Sequence, residues 1–262
     1  MRAPLLTLLL SILSTLANAQ PGSVFIEDLT WPEVRNAISA GKSTAIYYAG
    51  STEQNGPHMV LGKHNFIAHY VAGRVAEELG NALVYPILPF APTGDRTKKT
   101  VHMKFPGTIS ISDSTFGAVA REVAESAIAA GFKNVVLMGD HGGGQEALKQ
   151  VANDLDHEWA STGTHVFYVS DAYYKAAERV AEYLTQHGLV VGRHAGIHDT
   201  SELMFLDKDQ RWIRHDQLGV GGEADGVYGD SGQASVELGE RFIAIKITAA
   251  VSQIRRLIDP NK

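Results

Sequence analysis

Short apolar runs alternate with longer stretches of helical periodicity along most of this chain. Thr44-Ala-Ile-Tyr-Tyr-Ala49, Ala82-Leu-Val-Tyr-Pro-Ile-Leu88, Asn134-Val-Val-Leu-Met-Gly139 and His165-Val-Phe-Tyr-Val-Ser170 each have the length and apolar content of a buried strand. Between them, apolar positions recur at helical spacing. Ile67, Tyr70, Val71, Val75 and Leu79 predict a helix over 66–79. Further helices are predicted from Trp31 to near Gly41, with Thr30 as N-cap and Pro32 in the first turn, and over 113–131, 145–161, 174–187 and 237–258. Thr108–Ser112 alternates like a short edge strand, Leu189–Val191 reads as another, and 218–236, rich in Gly, Asp and Ser, reads as a loop. Strand–helix alternation of this kind predicts a doubly wound α/β fold: one mostly parallel sheet with helices on both faces.

Length and composition fit that reading. The chain has 262 residues, 44% of them hydrophobic, which suits one domain with a sizeable core. Its net charge is −6 with no basic stripe, so a nucleic-acid partner is not expected. With no cysteine, disulfides, thiolate metal sites and cysteine nucleophiles are excluded. Residues 1–19 read as a signal peptide: Arg2, an apolar stretch from Leu5 to Leu16, and Ala17-Asn18-Ala19 before the cleavage point. The expected mature domain is 20–262, exported to the periplasm or secreted, with no membrane attachment after cleavage.

Chemistry concentrates in three His-bearing loops, each following a strand-like run. In parallel sheets such loops share one edge, where ligands bind. The first, Gly50-Ser-Thr-Glu-Gln-Asn-Gly-Pro-His-Met-Val-Leu-Gly-Lys-His64, puts Glu53 with His58 and His64, a carboxylate and imidazoles suited to a metal. The second is Asp140-His-Gly-Gly-Gly144. The third is Arg193-His-Ala-Gly-Ile-His-Asp-Thr-Ser-Glu202. Gly142–Gly144 lack the Lys-Ser/Thr ending of a phosphate-binding P-loop, and no G-x-S-x-G elbow for a serine hydrolase is present.

Four segments in order resemble the creatininase (creatinine amidohydrolase) family. Gly50–His58 is similar to its G-x-x-E-Q-H-G-P-H signature and Gly139-Asp-His-Gly-Gly to its N-G-H-G-G segment. His194-Ala-Gly-Ile-His-Asp-Thr-Ser resembles its H-A/G-G-x-x-E-T-S block, and Gly226-Val-Tyr-Gly-Asp its G-V-x-G-D turn. The resemblance implies a doubly wound fold, hydrolysis of C–N bonds in cyclic amides, formamides or peptides, a divalent metal and a homo-oligomer. It also implies Glu53, His64 and His141 as metal ligands. Asn55 and Gly143 stand where the family has ligands of a second metal, and His64 where it has a bridging Asp. One divalent ion per chain is therefore expected: Zn²⁺ first, with Mn²⁺ or Fe²⁺ also compatible.

By the same resemblance His194 is the expected proton donor to the leaving nitrogen, and Asp199 replaces a family Glu that orients an imidazole or accepts a proton from water. Asn55, His58 and Asp140 are expected around the substrate, Asp140 also as the partner that orients a ligand imidazole. Two other readings stay open: a lactone or ester hydrolase or isomerase on the same scaffold, and a non-catalytic exported binding protein.

Overall fold

The computed structural model describes residues 22–259. The signal-peptide expectation for residues 1–19 lies outside them. Four strands form one parallel sheet: β1 (Thr44–Ala49), β2 (Ala82–Val84), β3 (Asn134–Gly139) and β4 (His165–Tyr168), in the order β2-β1-β3-β4. Thr44 pairs with Ala82 on one side and with Asn134 on the other, and Asn134 pairs with His165. Alternate side chains of β1 go to opposite faces. Ile46 and Tyr48 pack with α2 (Lys63–Leu79) and α7 (Val236–Ile258), whereas Ala45, Tyr47 and Ala49 pack with α3 (Asp113–Ala130) and α4 (Gln145–Trp159). Both faces of the sheet are therefore covered by helices, as the doubly wound pattern predicts. Among the described residues no helix is long and apolar enough to cross a membrane.

Local signals explain most element ends. The helix α1 (Trp31–Ser39) starts where Glu33 accepts hydrogen bonds from the backbone N–H and hydroxyl of Thr30, at 2.7 and 2.6 Å. The start of α3 is capped by Ser112, which accepts from the Thr115 N–H, and its end by Gly131 in the left-handed region. Several expectations need correction. The predicted 82–88 strand forms a continuous ladder only over Ala82–Val84, because Pro86 has no N–H to extend it, and beyond the proline a single parallel bridge joins Leu88 to Ala49. Thr108–Ser112 contributes a single bridge, Ala91 to Ser110, and Leu189–Val191 forms no strand. Within the third His-bearing segment a further helix, α6 (Ile197–Leu206), packs along α7, and α5 (Tyr174–Gln186) lies beside it in sequence order. The first two His-bearing loops leave the C-terminal ends of β1 and β3 together, since Ala49 and Gly139 pair directly, whereas the third follows α5 and not a strand.

Candidate metal centre

Glu53 is the hub. It is buried, and its backbone N–H is fixed by the Leu61 carbonyl at 3.1 Å. Its Oε2 lies 2.7 Å from His141 Nε2 and its Oε1 3.1 Å from His64 Nε2. Oε1 also faces His102 Nε2 at 3.9 Å and His194 Nδ1 at 4.0 Å. Four imidazoles thus converge on one buried carboxylate. Burial alone would raise the Glu53 carboxyl, but the His141 and His64 imidazoles outweigh it and hold it well below the usual carboxylate range.

Among the described residues, Glu53, His102 and His141 form a group able to hold a metal ion, with one ligand atom each within 4.8 Å of the others. His102 comes from a turn at Val101–Lys104 and was not expected as a ligand. His64 stands outside that group but has the hydrogen bonding of a metal-bound imidazole. Its Nδ1 donates to Asp140 Oδ2 at 2.8 Å, which leaves Nε2 aimed at Glu53. His141 has both backbone groups of Gly143 within reach of Nδ1, the N–H at 2.9 Å and the carbonyl at 3.4 Å. The donor set of carboxylate oxygens and imidazole nitrogens therefore fits a divalent metal such as zinc.

Neither position that matches a second metal site in the family presents a side-chain donor to the cavity here. Asn55 is buried, donates to the carbonyls of Glu53 and Val60, and is absent from the cavity lining. A side chain at Gly143 would place its Cβ 1.9 Å from the Pro92 carbonyl oxygen, so only glycine fits. His58, also expected near substrate, is buried outside the lining, with Nε2 3.0 Å from Thr200 Oγ1.

Two buried lysines complete the site, and neither was singled out from sequence. Lys63 Nζ donates to Asp199 Oδ1 at 2.8 Å. The second oxygen of Asp199 accepts from the Ala195 N–H at 2.7 Å, so both its oxygens are engaged with protein groups. Lys246 Nζ, from α7, donates to Asp140 Oδ1 at 2.8 Å and to Glu202 Oε2 at 3.0 Å. Burial opposes ionisation of Asp140 and Glu202, but the Lys246 ammonium and neighbouring imidazoles keep both carboxyls below their ordinary range. Asp140 is thus anchored on one side while it orients His64 on the other. A lysine in the apolar stripe of the last helix, between Ile243 and Ala250, was the available sequence signal for Lys246.

The cavity above this centre has a volume of about 740 Å³. Its deep end holds Glu53, His64, His102, His141 and His194. One wall is formed by α5 and is mainly apolar, with Ala177, Val180, Ala181 and Leu184 beside the exposed Glu178, and exposed Arg193 also lines the cavity. His194 is pushed down to about 4 by burial, with Lys63 adding to the effect, so its ring is neutral near pH 7.

Comparison with known proteins places this geometry. The family model described as creatininase, creatinine amidohydrolase, matches residues 27–254. The chain is 28% identical over 231 residues to the mycofactocin precursor peptide peptidase of Mycolicibacterium smegmatis, an alignment covering 79% of this chain and 82% of that one. It is 32% identical over 119 residues to the creatinine amidohydrolase of Pseudomonas putida, covering 45% of each. A solved manganese creatininase superposes with a TM-score of 0.74 at 24% identity, over 91% of this chain and 100% of that chain, which shows a shared fold. A metal-suited cluster at the sheet's C-terminal edge and a family match across nearly all of the described residues lead to one conclusion: this chain belongs to the creatininase family of hydrolases.

Proposed function

We propose that this protein is a single-metal hydrolase of C–N bonds, acting on a short peptide or N-acyl amide that carries an apolar group. The observation that carries the reading is the pairing of the Glu53–His64–His141 donor set with a cavity of about 740 Å³ walled on one side by α5. Pockets of this size enclose drug-sized ligands, far larger than a single small ring. The matched relatives support C–N cleavage, since one is named a peptide peptidase and the other an amidohydrolase.

Glu53, His64 and His141 would hold the ion, with zinc the first expectation and manganese or iron compatible. Bound there, such an ion lowers the pKa of a coordinated water from ~15.7 towards ~7 and polarises a carbonyl. The chain's own residues do the rest. Asp140 holds the His64 ring in its tautomer. Asp199 acts by position: it ties Lys63 to the backbone at Ala195 and so fixes the loop that carries His194. The α5 wall receives the apolar group and keeps bulk water from the deep end.

The test is a hydrolysis screen on chelator-treated protein reloaded with Zn²⁺ or Mn²⁺, using dipeptides and N-acyl amides with and without a Leu or Phe side chain, and creatinine. Turnover is expected only with metal, and at least ten times faster for substrates with an apolar side chain (about 1.4 kcal/mol). Glu53→Gln should remove both metal and turnover. Stoichiometric metal with no cleavage of any amide would overturn the proposal.

A further inference from the structure

Gln54 follows Glu53 directly, yet its side chain turns towards His102 and the fourth motif segment. Its Oε1 accepts from the Gly56 N–H at 2.9 Å, and its Nε2 donates to the Gly226 carbonyl at 3.2 Å. Those two backbone groups settle which end of the amide is which, because an N–H can only donate and a carbonyl can only accept. Gly226 makes room for it: a Cβ there would lie 2.1 Å from Gln54 Oε1, and φ is +78°. The remaining Nε2 proton points at His102 Nδ1, 2.8 Å away. The same residue's main-chain carbonyl lies 2.9 Å from His194 Nε2.

Both rings are therefore fixed in the same tautomer. His102 Nδ1 accepts, so its proton is on Nε2. His194 Nε2 faces a carbonyl, so its proton is on Nε2 as well. The rings are only 4.4 Å apart between centroids but meet the site through different atoms. His102 turns Nε2 towards Glu53 Oε1 at 3.9 Å, and His194 turns Nδ1 towards the same oxygen at 4.0 Å. Both separations are too long for a hydrogen bond, so both groups remain free for a guest.

We infer that Gln54 is a positioning residue that makes this pair unlike at the reacting centre: His102 offers a proton donor to the substrate's carbonyl oxygen, and His194 offers a lone pair to the attacking water. It follows that His102 is a catalytic residue and not a metal ligand, despite its place in the three-atom cluster with Glu53 and His141. With Nδ1 saturated by an amide N–H, a neutral His102 has no lone pair on Nε2 to give a metal. His141 differs in having a second partner at hand: its Nδ1 accepts from the Gly143 N–H at 2.9 Å as it stands, and the Gly143 carbonyl at 3.4 Å can take a proton from Nδ1 once Nε2 holds an ion. In the reaction, water oxygen bonds to the carbonyl carbon as its proton passes to His194 Nδ1. The C–N bond then breaks and that proton goes to the leaving nitrogen. His102 keeps its proton throughout and stabilises the oxyanion by hydrogen bonding. The back-turn around Val101, at φ +50° for a β-branched residue, is the strained segment that delivers His102 to this place.

The rate consequence rests on the hydrolase reading; the tautomers do not. The first experiment uses the chelator-treated full chain with ¹⁵N-histidine and long-range ¹H–¹⁵N correlation at pH 8. Both His102 and His194 should show the Nε2–H pattern. Gln54→Glu should move His102 alone to an Nδ1-protonated form, because a carboxylate accepts where the amide donated, while His194, held by the main chain, stays unchanged. The second experiment titrates Zn²⁺ into wild type and His102→Ala by calorimetry. The affinity should change by less than about threefold, while kcat on a cleaved amide falls about 10²–10³-fold, as for loss of an oxyanion donor. An Nε2 lone pair on His102 in the wild type, or loss of zinc in His102→Ala, overturns the inference and leaves the hydrolase reading intact. The expected tautomers without cleavage of any amide would do the reverse.

Discussion

Replacing Lys246 by Met should expose how the site's charges are held. The ammonium is almost wholly enclosed, with side-chain exposure of 7%, and its two partners Asp140 and Glu202 are at 1% and 2%. Met fills the same volume and removes only the charge and its hydrogen bonds. Two carboxylates are then left buried without their common cation, retaining Tyr48 (3.2 Å) and His64 on Asp140, and His198 (3.1 Å) on Glu202. Breaking a buried pair in this way costs about 3–5 kcal/mol. With a urea m-value near ~3 kcal/mol/M for a chain of this size, the unfolding midpoint should drop by about 1–1.7 M. The pH dependence has a definite sign. In the wild type both carboxyls are held below their unfolded values, so they contribute stability above the unfolded range of about 4–4.5 and lose it as pH falls through their lower folded values. In the variant one carboxyl can take up a proton instead, so the deficit should be largest at pH 7–8 and shrink by pH 4.5. Glu202→Gln added to Lys246→Met should recover at least ~1 kcal/mol at pH 8, since one buried charge is gone. The assay is urea unfolding of chelator-treated proteins followed by circular dichroism. A loss under 1 kcal/mol at pH 8, or an equal loss at pH 8 and 4.5, would refute the reasoning.

Two further outcomes follow from single positions. Gly143→Ala puts a methyl against the Pro92 carbonyl and within 3.0 Å of the His141 ring, so it should cost about 1–3 kcal/mol in thermal or urea unfolding and weaken zinc binding; unchanged stability would show that the Pro92 segment yields freely. His194 titrates near 4 when folded, against about 6.5 when unfolded, so between those values the unfolded chain binds a proton that the folded chain refuses and stability falls with pH. His194→Gln should flatten the urea-derived stability profile between pH 7 and 5, and identical slopes in the two proteins would contradict the burial of that ring.

The fold was legible because buried parallel strands leave continuous apolar runs such as Thr44–Ala49 and Asn134–Gly139, and the helices around them keep a regular stripe. The helix over Ile197–Leu206 escaped the same reading for a physical reason. Its inward positions include Thr200, Ser201 and Glu202, so the side that packs is partly polar and periodicity gives no signal; its N-cap, Gly196, supplies no capping side chain either. Glu53, His141 and His194 could be found because short motifs surround them. His102 could not, since it arrives from a turn with no pattern and meets the others only through folding. Gln54 was visible inside a motif, but the direction of its side chain depends on contacts with His102 and Gly226, far along the chain. Asn55 shows the opposite limit: its place beside Glu53 invites a role in the cavity, while the loop's own carbonyls claim its amide.

The two buried lysines also set an electrical balance for the whole pocket. Glu53, Asp140, Glu178, Asp199 and Glu202 bring five negative charges to its walls, and Lys63, Arg193 and Lys246 return three positive ones. The remaining deficit equals the charge of one divalent cation, so a single ion would balance these groups and a second would leave an excess of two positive charges. In the proposed single-ion site, the preference for one ion over two would rest partly on lysines outside the donor set. A mutational route to a two-metal descendant would have to discard a lysine as well as open the space at Gly143.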